Sequence, residues 1–149
     1  MRVYLDNCCY CRPFDDLRQM KVKAESDSKR FIQSLINYGA LELVYSFVSL
    51  HEIGKIKSDD KREFILSFIS GVSGKKYIGG EFADVALEIG NKIMQTGIKY
   101  ADAAHVACAI LAKCDCFITT DERLLKYQSD AIKLLNPIDF EYLWREEND

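Results

Sequence analysis

The sequence predicts an α/β fold: a mainly parallel sheet of four to five strands between two layers of helices. Three observations predict it. Short apolar or β-branched runs alternate with longer stretches of helical periodicity, the pattern of strands joined by helical crossovers. Residues 100–113 are apolar or small on nearly every face, which marks an interior helix, and they lead straight into a strand-like run at 116–120. No internal repeat, low-complexity tract or linker interrupts the 149 residues, so residues 1–149 are expected to form one domain.

The elements follow in order. Val3-Tyr4-Leu5 reads as a buried first strand ending in the polar pair Asp6-Asn7. Arg12-Pro13 breaks the chain, and Asp15 or Asp16 can cap a helix toward Lys23. The polar patch 25–29 separates it from a second helix with Phe31, Leu35 and Tyr38 on one face and Gly39 as its stop. Residues 41–45 form a second strand, and Ser46 caps a helix over 47–57. Asp59-Asp60 open another helix with Phe64, Ile65, Phe68 and Ile69 as its apolar stripe, and a short strand is expected at 76–78. Phe82, Val85, Ala86, Ile89 and Ile93 stand at helical spacing before Gly97. After 116–120, residues 132–135 make a last strand and a terminal helix carries Phe140, Tyr142 and Trp144.

Composition excludes some functions. A net charge of −3 and the lack of a basic tail argue against non-specific nucleic-acid packaging. They do not argue against a nuclease, because acids gathered around a metal distort the raw sum. No apolar run of about 18 residues occurs, and Met1 leads directly into a strand, so a soluble, cytoplasmic protein with no membrane association is expected. The six cysteines are then expected to be reduced thiols.

The chemistry lies in four carboxylates. Asp6 and Asp121 stand where the strands 3–5 and 116–120 end, and functional groups of parallel α/β sheets gather beyond the carboxyl ends of their strands. Glu52 points along a largely apolar helical row, and Asp102 opens the buried helix with His105 one turn on. Ionised carboxylates in such settings cost several kcal/mol unless a cation compensates them, and a divalent metal is the economical one. Each acid also has a plainer reading: Asp102 as a first-turn helix acid, Asp121 as a helix cap, Glu52 as an ion-pair partner. His105, one turn from Asp102, can be a base or ligand, but the favoured reading is a core histidine bonded to a neighbour; with only His51 besides, a histidine-rich zinc or iron site is disfavoured.

The tracts VYLDN, YSFVSLHE and KYADAAHVACAILAKCDCFITTDERLL resemble, in that order, those of a PIN domain, as in single-domain prokaryotic PIN ribonucleases and VapC-like toxins. The resemblance implies a three-layer α/β/α domain acting as a metal-dependent endoribonuclease, with the family's acids falling on Asp6, Glu52, Asp102 and Asp121. It implies Mg²⁺ or Mn²⁺ as cofactor. An RNA substrate, an antitoxin protein and a homodimer are the expected partners. The chain departs from some members in having Glu122 where a further Asp is found nearby. A catalytically silent PIN-like domain that binds RNA or protein is the alternative.

Hard cations held by carboxylates suit phosphodiester cleavage, which builds negative charge on the attacking and leaving oxygens. Asp6, Asp102 and Asp121 are expected as ligands; Glu52 can ligate, hold a water or act as base. Asn7, Thr119 and Thr120 are expected to support them. Among several surface lysines and arginines that are candidates for gripping phosphate, Arg12 and Arg123 are singled out because each lies a few residues from a proposed ligand. Cys8 and Cys11 form a C-x-x-C, which allows a thiol redox role; Cys9 lies between them, and Cys108 is read as core. A zinc site shared with Cys114 and Cys116 is disfavoured, because a strand of about five residues separates the two pairs by roughly 16 Å.

Overall fold

The computed structural model describes residues 1–11 and 16–149. Arg12 and the break and cap expected at Pro13 and Asp15 lie outside them. Five strands form one sheet in the order β3-β2-β1-β4-β5: β1 Arg2–Leu5, β2 Glu42–Ser46, β3 Lys75–Ile78, β4 Cys116–Ile118 and β5 Lys133–Leu135. Every pairing is parallel. The helices are α1 (Asn7–Tyr10), α2 (Met20–Asn37), α3 (Phe47–Gly54), α4 (Asp59–Gly71), α5 (Ala83–Met94), α6 (Tyr100–Leu111), α7 (Glu122–Leu125) and α8 (Pro137–Asn148).

Alternation along each strand builds two cores. Val3, Leu5, Leu43, Cys116 and Ile118 face one way and pack with α2, α4 and Phe140 of α8. Tyr4, Val44, Ile78 and Phe117 face the other way and pack with α5 and α6. Helix α6 contributes Ala103, Val106, Ala107, Cys108 and Ala109 to this second core, all fully buried, so its small side chains let it lie close to the sheet. This is the three-layer α/β/α architecture expected. Gly39 and Gly97 end α2 and α5 with φ of +80° and +100°, a region in which a side chain is strained.

Several elements differ from expectation, among them the short helix α1, which was not expected. The helices expected around 15–23 and 31–38 are one helix, α2, and the polar patch between them lies inside it. Glu25, Ser26, Ser28 and Lys29 are buried: the patch is an interface, with the Ser28 hydroxyl donating to Glu141 Oε1 of α8 at 2.9 Å. The inward row is completed by Ile32 and Ile36, while Tyr38 is 88% exposed. Helix α3 stops at Gly54 rather than 57, and β4 stops at Ile118. Thr119, Thr120 and Asp121 are thereby released from the ladder at the rim.

Candidate metal centre

Central strand β1 has β2 on one side and β4 on the other, and the chain fills these sides in separate passes. The carboxyl ends of β1 and β4 therefore border the crevice where such sheets bind ligands. Asp6 follows β1, and its backbone N–H donates to the Ile118 carbonyl at 2.9 Å, which locks it beside the end of β4. Its Oδ1 caps α1 by accepting the Asn7 N–H at 2.8 Å. Its Oδ2 accepts the hydroxyl of fully buried Thr119 at 2.7 Å, and the same Thr119 Oγ1 accepts the Asp121 N–H at 3.1 Å. One threonine thus ties the two strand-end acids together. Thr120 contributes its backbone N–H, donated to Cys8 Sγ at 3.4 Å, and the Asn7 Oδ1 is buried with no hydrogen-bond partner among the described residues.

Asp121 caps α7 with one oxygen, Oδ1, which accepts the N–H groups of Arg123 at 2.9 Å and Leu124 at 3.4 Å. The plainer reading of this residue is thus realised, and its second oxygen has no hydrogen bond among the described residues. Arg123 is exposed and its guanidinium pairs with none of the four acids.

Glu52 comes from α3, whose start is held by a reciprocal capping box between Ser46 and Ser49. Its Oε2 lies 2.9 Å from His105 Nε2 on α6, off the axis of the ring N–H, so the approach is a close contact rather than an aligned hydrogen bond. Ligand atoms of Asp6, Glu52 and His105 all lie within 4.8 Å of one another. Asp102, in the first turn of α6, and Asp121 do not join that tight set, but their charges act on it. His105 is buried and bonded to a neighbour, as expected: its Nδ1 lies 2.6 Å from the Tyr4 hydroxyl. Its place beside the acids agrees with the i, i+3 spacing from Asp102, although the close contact is with Glu52. The Tyr4 hydroxyl was not expected; a lone tyrosine in an apolar strand was its only signal.

The electrostatics fit a cation. Burial first, then the charges of Asp6 and Asp121, pushes the Asp102 carboxyl above the usual carboxylate range. The neighbouring His105 imidazole holds Glu52 below it, against the opposing effect of burial. Among the described residues no lysine or arginine forms an ion pair with Asp6, Glu52, Asp102 or Asp121, so hard oxygen donors converge without a resident counter-charge.

A pH dependence follows for the metal-free protein. A carboxyl whose folded pKa is raised binds a proton more readily folded than unfolded, so stability falls as pH rises through the window above the ordinary aspartate value. Glu52 acts oppositely: its contribution is present above the ordinary glutamate value and lost as pH falls through its depressed one. Urea denaturation across pH in EDTA is expected to show the Asp102 decline in wild type and not in Asp102→Asn. Parallel curves for the two proteins would remove the charge coupling.

Beside Glu52 a groove of about 450 Å³ runs between α3, α5 and α6, lined by apolar residues such as Val48, Leu87 and Met94 and by Lys55. On the other side of Asp6 the Cys8 thiol lies 3.8 Å from Asp6 Oδ2 and 3.9 Å from Cys9 Sγ. None of the six cysteines is in a disulfide. Cys116 pairs in register with Val3, at the opposite end of β1 from Cys8 and Cys11, so the two cysteine pairs do not meet.

No protein-family model matches the chain, and no curated protein matches it in sequence. Solved structures do. A chain of VapBC2 from Rickettsia felis, bound to a DNA fragment from their promoter, superposes with a TM-score of 0.59 at 14% identity, covering 91% of this chain and 98% of that one. A chain of VapBC-1 from nontypeable Haemophilus influenzae gives 0.56 at 18%, covering 92% and 98%. VapBC-5 from Mycobacterium tuberculosis, a member of the VapBC family of toxin-antitoxin systems, gives 0.51 at 13%, covering 91% and 98%. The chain therefore has the VapC-like PIN fold over most of its length. Identities this low establish the fold and nothing finer.

Proposed function

We propose that residues 1–149 act as one PIN-like domain, a Mg²⁺- or Mn²⁺-dependent endoribonuclease. The observation that carries this reading is that Asp6 and Glu52 lie together at one rim of the sheet, within reach of the charges of Asp102 and Asp121, and that no lysine or arginine among the described residues pairs with any of the four. Asp6, Glu52, Asp102 and the free oxygen of Asp121 would hold the metal. When bound, it supplies an electrophile for the scissile phosphate and screens charge on the attacking and leaving oxygens. Thr119 keeps the Asp6 and Asp121 ends in register, and α3 and α6 bring Glu52 and Asp102 from the facing layer. Arg123 stands exposed near the rim, where it can meet the phosphate backbone; Arg12, outside the described residues, is proposed for the same role.

The fold shared with VapBC chains supports a toxin partnered by an antitoxin protein. A homodimer and a cytoplasmic setting belong to the same proposal. No helix among the described residues is long and apolar enough to cross a membrane. Incubating single-stranded RNA with the protein and Mn²⁺ tests the activity: cleavage that EDTA stops is the expected result, and RNA bound but uncut would favour the silent domain.

The thiol reading gives a contrasting expectation. Carboxylate–metal chemistry needs no thiolate, whereas thiol exchange needs both sulfurs and no metal. The Cys8→Ser, Cys11→Ser variant is expected to keep most of its Mn²⁺-dependent cleavage, at roughly 1 kcal/mol of packing cost. A folded, metal-binding variant without activity would make the cysteines functional.

A further inference from the structure

We propose that the groove between α3, α5 and α6 seats one nucleotide of the RNA, a neighbour of the scissile phosphate. In this seat Tyr100 stacks on the base, Lys55 holds a phosphate and Asp84 accepts from a base amine, so that cytosine is preferred to uracil. The seat presupposes the endoribonuclease reading above, to which it adds a choice among sequences.

Continuity with the acids comes first. Glu52 belongs both to the tight trio at the rim and to the wall of the groove, so the groove opens directly from the proposed metal site. Strand β1, which leads into Asp6, lies between β2 and β4; α3 follows β2, and Arg123 follows β4. A strand of RNA that meets Arg123 on the β4 side and crosses the acids therefore arrives at the groove on the β2 side. The wall of α3 then suits a polyanion better than an apolar peptide. Val48, His51, Glu52 and Lys55, the C-cap of α3, line it at the i, i+3, i+4, i+7 spacing of one helical face. His51 and Lys55 are exposed, and the charges of both reach Glu52. The proposed metal acid is thus flanked, on its own helix face, by two side chains able to donate to phosphate oxygens.

The remaining lining suits a base. Helix α6 offers Ala101 and Ala104, too small to fill the space, and Tyr100, whose ring is 64% exposed at the helix start. Leu87 and Met94 of α5 make the apolar wall opposite. A nucleobase has two flat apolar faces, and an aromatic ring near a cation is the usual platform for a single strand. The volume of about 450 Å³ falls within the roughly 300–1,000 Å³ of small-ligand sites. Asp84 is the acid that α5 adds to this lining, and a base edge that meets a carboxylate must donate. Cytosine presents its N4 amine where uracil presents O4, with little difference in size. The amine gives Asp84 a hydrogen bond, whereas O4 sets two acceptors against each other. As plain helix residues, Asp84 would only favour the start of α5 and Lys55 the end of α3, and neither would affect RNA.

Steady-state cleavage of short oligo(C) and oligo(U) ribonucleotides with Mn²⁺ tests the seat. Wild type is expected to favour oligo(C) by about fivefold in kcat/KM, the worth of one hydrogen bond. Asp84→Ala should cut the two alike. Tyr100→Ala should lose on the order of 10-fold in kcat/KM on oligo(C), as expected for one lost stacking contact. Lys55→Ala should flatten the fall of log kcat/KM with log salt by about 0.7, the share of one phosphate on a single strand. All three side chains are exposed, so each variant should melt with wild type and still bind Mn²⁺ in calorimetry. A variant that no longer binds Mn²⁺ overturns the assignment of that residue to RNA. Equal cleavage of oligo(C) and oligo(U) by wild type, or a preference that survives in Asp84→Ala, overturns the base readout. Unchanged kinetics in both Tyr100→Ala and Lys55→Ala overturns the seat altogether and leaves the groove to an apolar segment of a partner protein. A wild type that cuts no RNA overturns the endoribonuclease reading instead.

Discussion

RNA cleavage by Asp6→Asn is expected to fall by ~10³-fold or more, since metal electrophilicity is worth several kcal/mol and each 1.4 kcal/mol is a factor of ten. Asp6 is the acid common to both parts of the site: it belongs to the tight trio with Glu52 and His105, and Thr119 ties it to Asp121. Asparagine keeps the shape and still caps α1 through the oxygen that accepts the Asn7 N–H. Its amide replaces Oδ2 as a donor, so the Thr119 hydroxyl must turn to accept. Neutralising one of several clustered acids relieves repulsion in the metal-free protein, so loss of activity should not be loss of fold. Gel-resolved cleavage of single-stranded RNA with Mn²⁺, beside thermal melting, is the measurement. A folded variant that cuts as wild type does would remove the acid cluster from the chemistry.

Phe117→Ala is expected to cost about 3–5 kcal/mol, the usual penalty for emptying a buried phenylalanine site. That is a large share of the ~5–15 kcal/mol that keeps a domain folded. Phe117 is fully buried in β4, on the face packed by α5 and α6, and stacks on Tyr4 with ring planes 10° apart. The small side chains of α6 approach too closely to be redrawn around the void without moving the helix. Urea denaturation gives the number directly. A cost under about 1 kcal/mol would mean that this layer collapses freely and that Tyr4 is not held by stacking.

Much of this site was legible because strand–helix alternation says where a rim will be. Asp6 follows three buried residues, and Glu52 follows a serine cap by a countable number of helical positions; both locations come from local periodicity. Ser46 as a cap, Gly39 and Gly97 as stops and the short edge strand near Lys76 are local in the same sense. What was not legible depends on partners far away in sequence. The stretch around Glu25 to Lys29 is hydrophilic and looks like a break, yet it is buried because α8 supplies Glu141 as an acceptor. Tyr4 and His105 are 101 positions apart, and nothing near either announces the hydrogen bond between them. Asp121 shows both of its readings at once, one oxygen capping α7 and the other open at the rim.

The strand order has a consequence for when the protein can act. More than a hundred residues are synthesised between Asp6 and its neighbour across the sheet, β4, and β5, which seals that edge, follows later still. Pairings between segments so distant in sequence form late, because the loop between them must be closed first. A nascent chain that has emerged only as far as α5 holds Asp6 and Glu52 but has neither Asp102 nor the Thr119 clamp. The proposed site is therefore complete only once the chain has been made past Asp121: a ribosome stalled within α5 carries a fragment lacking two of the four acids.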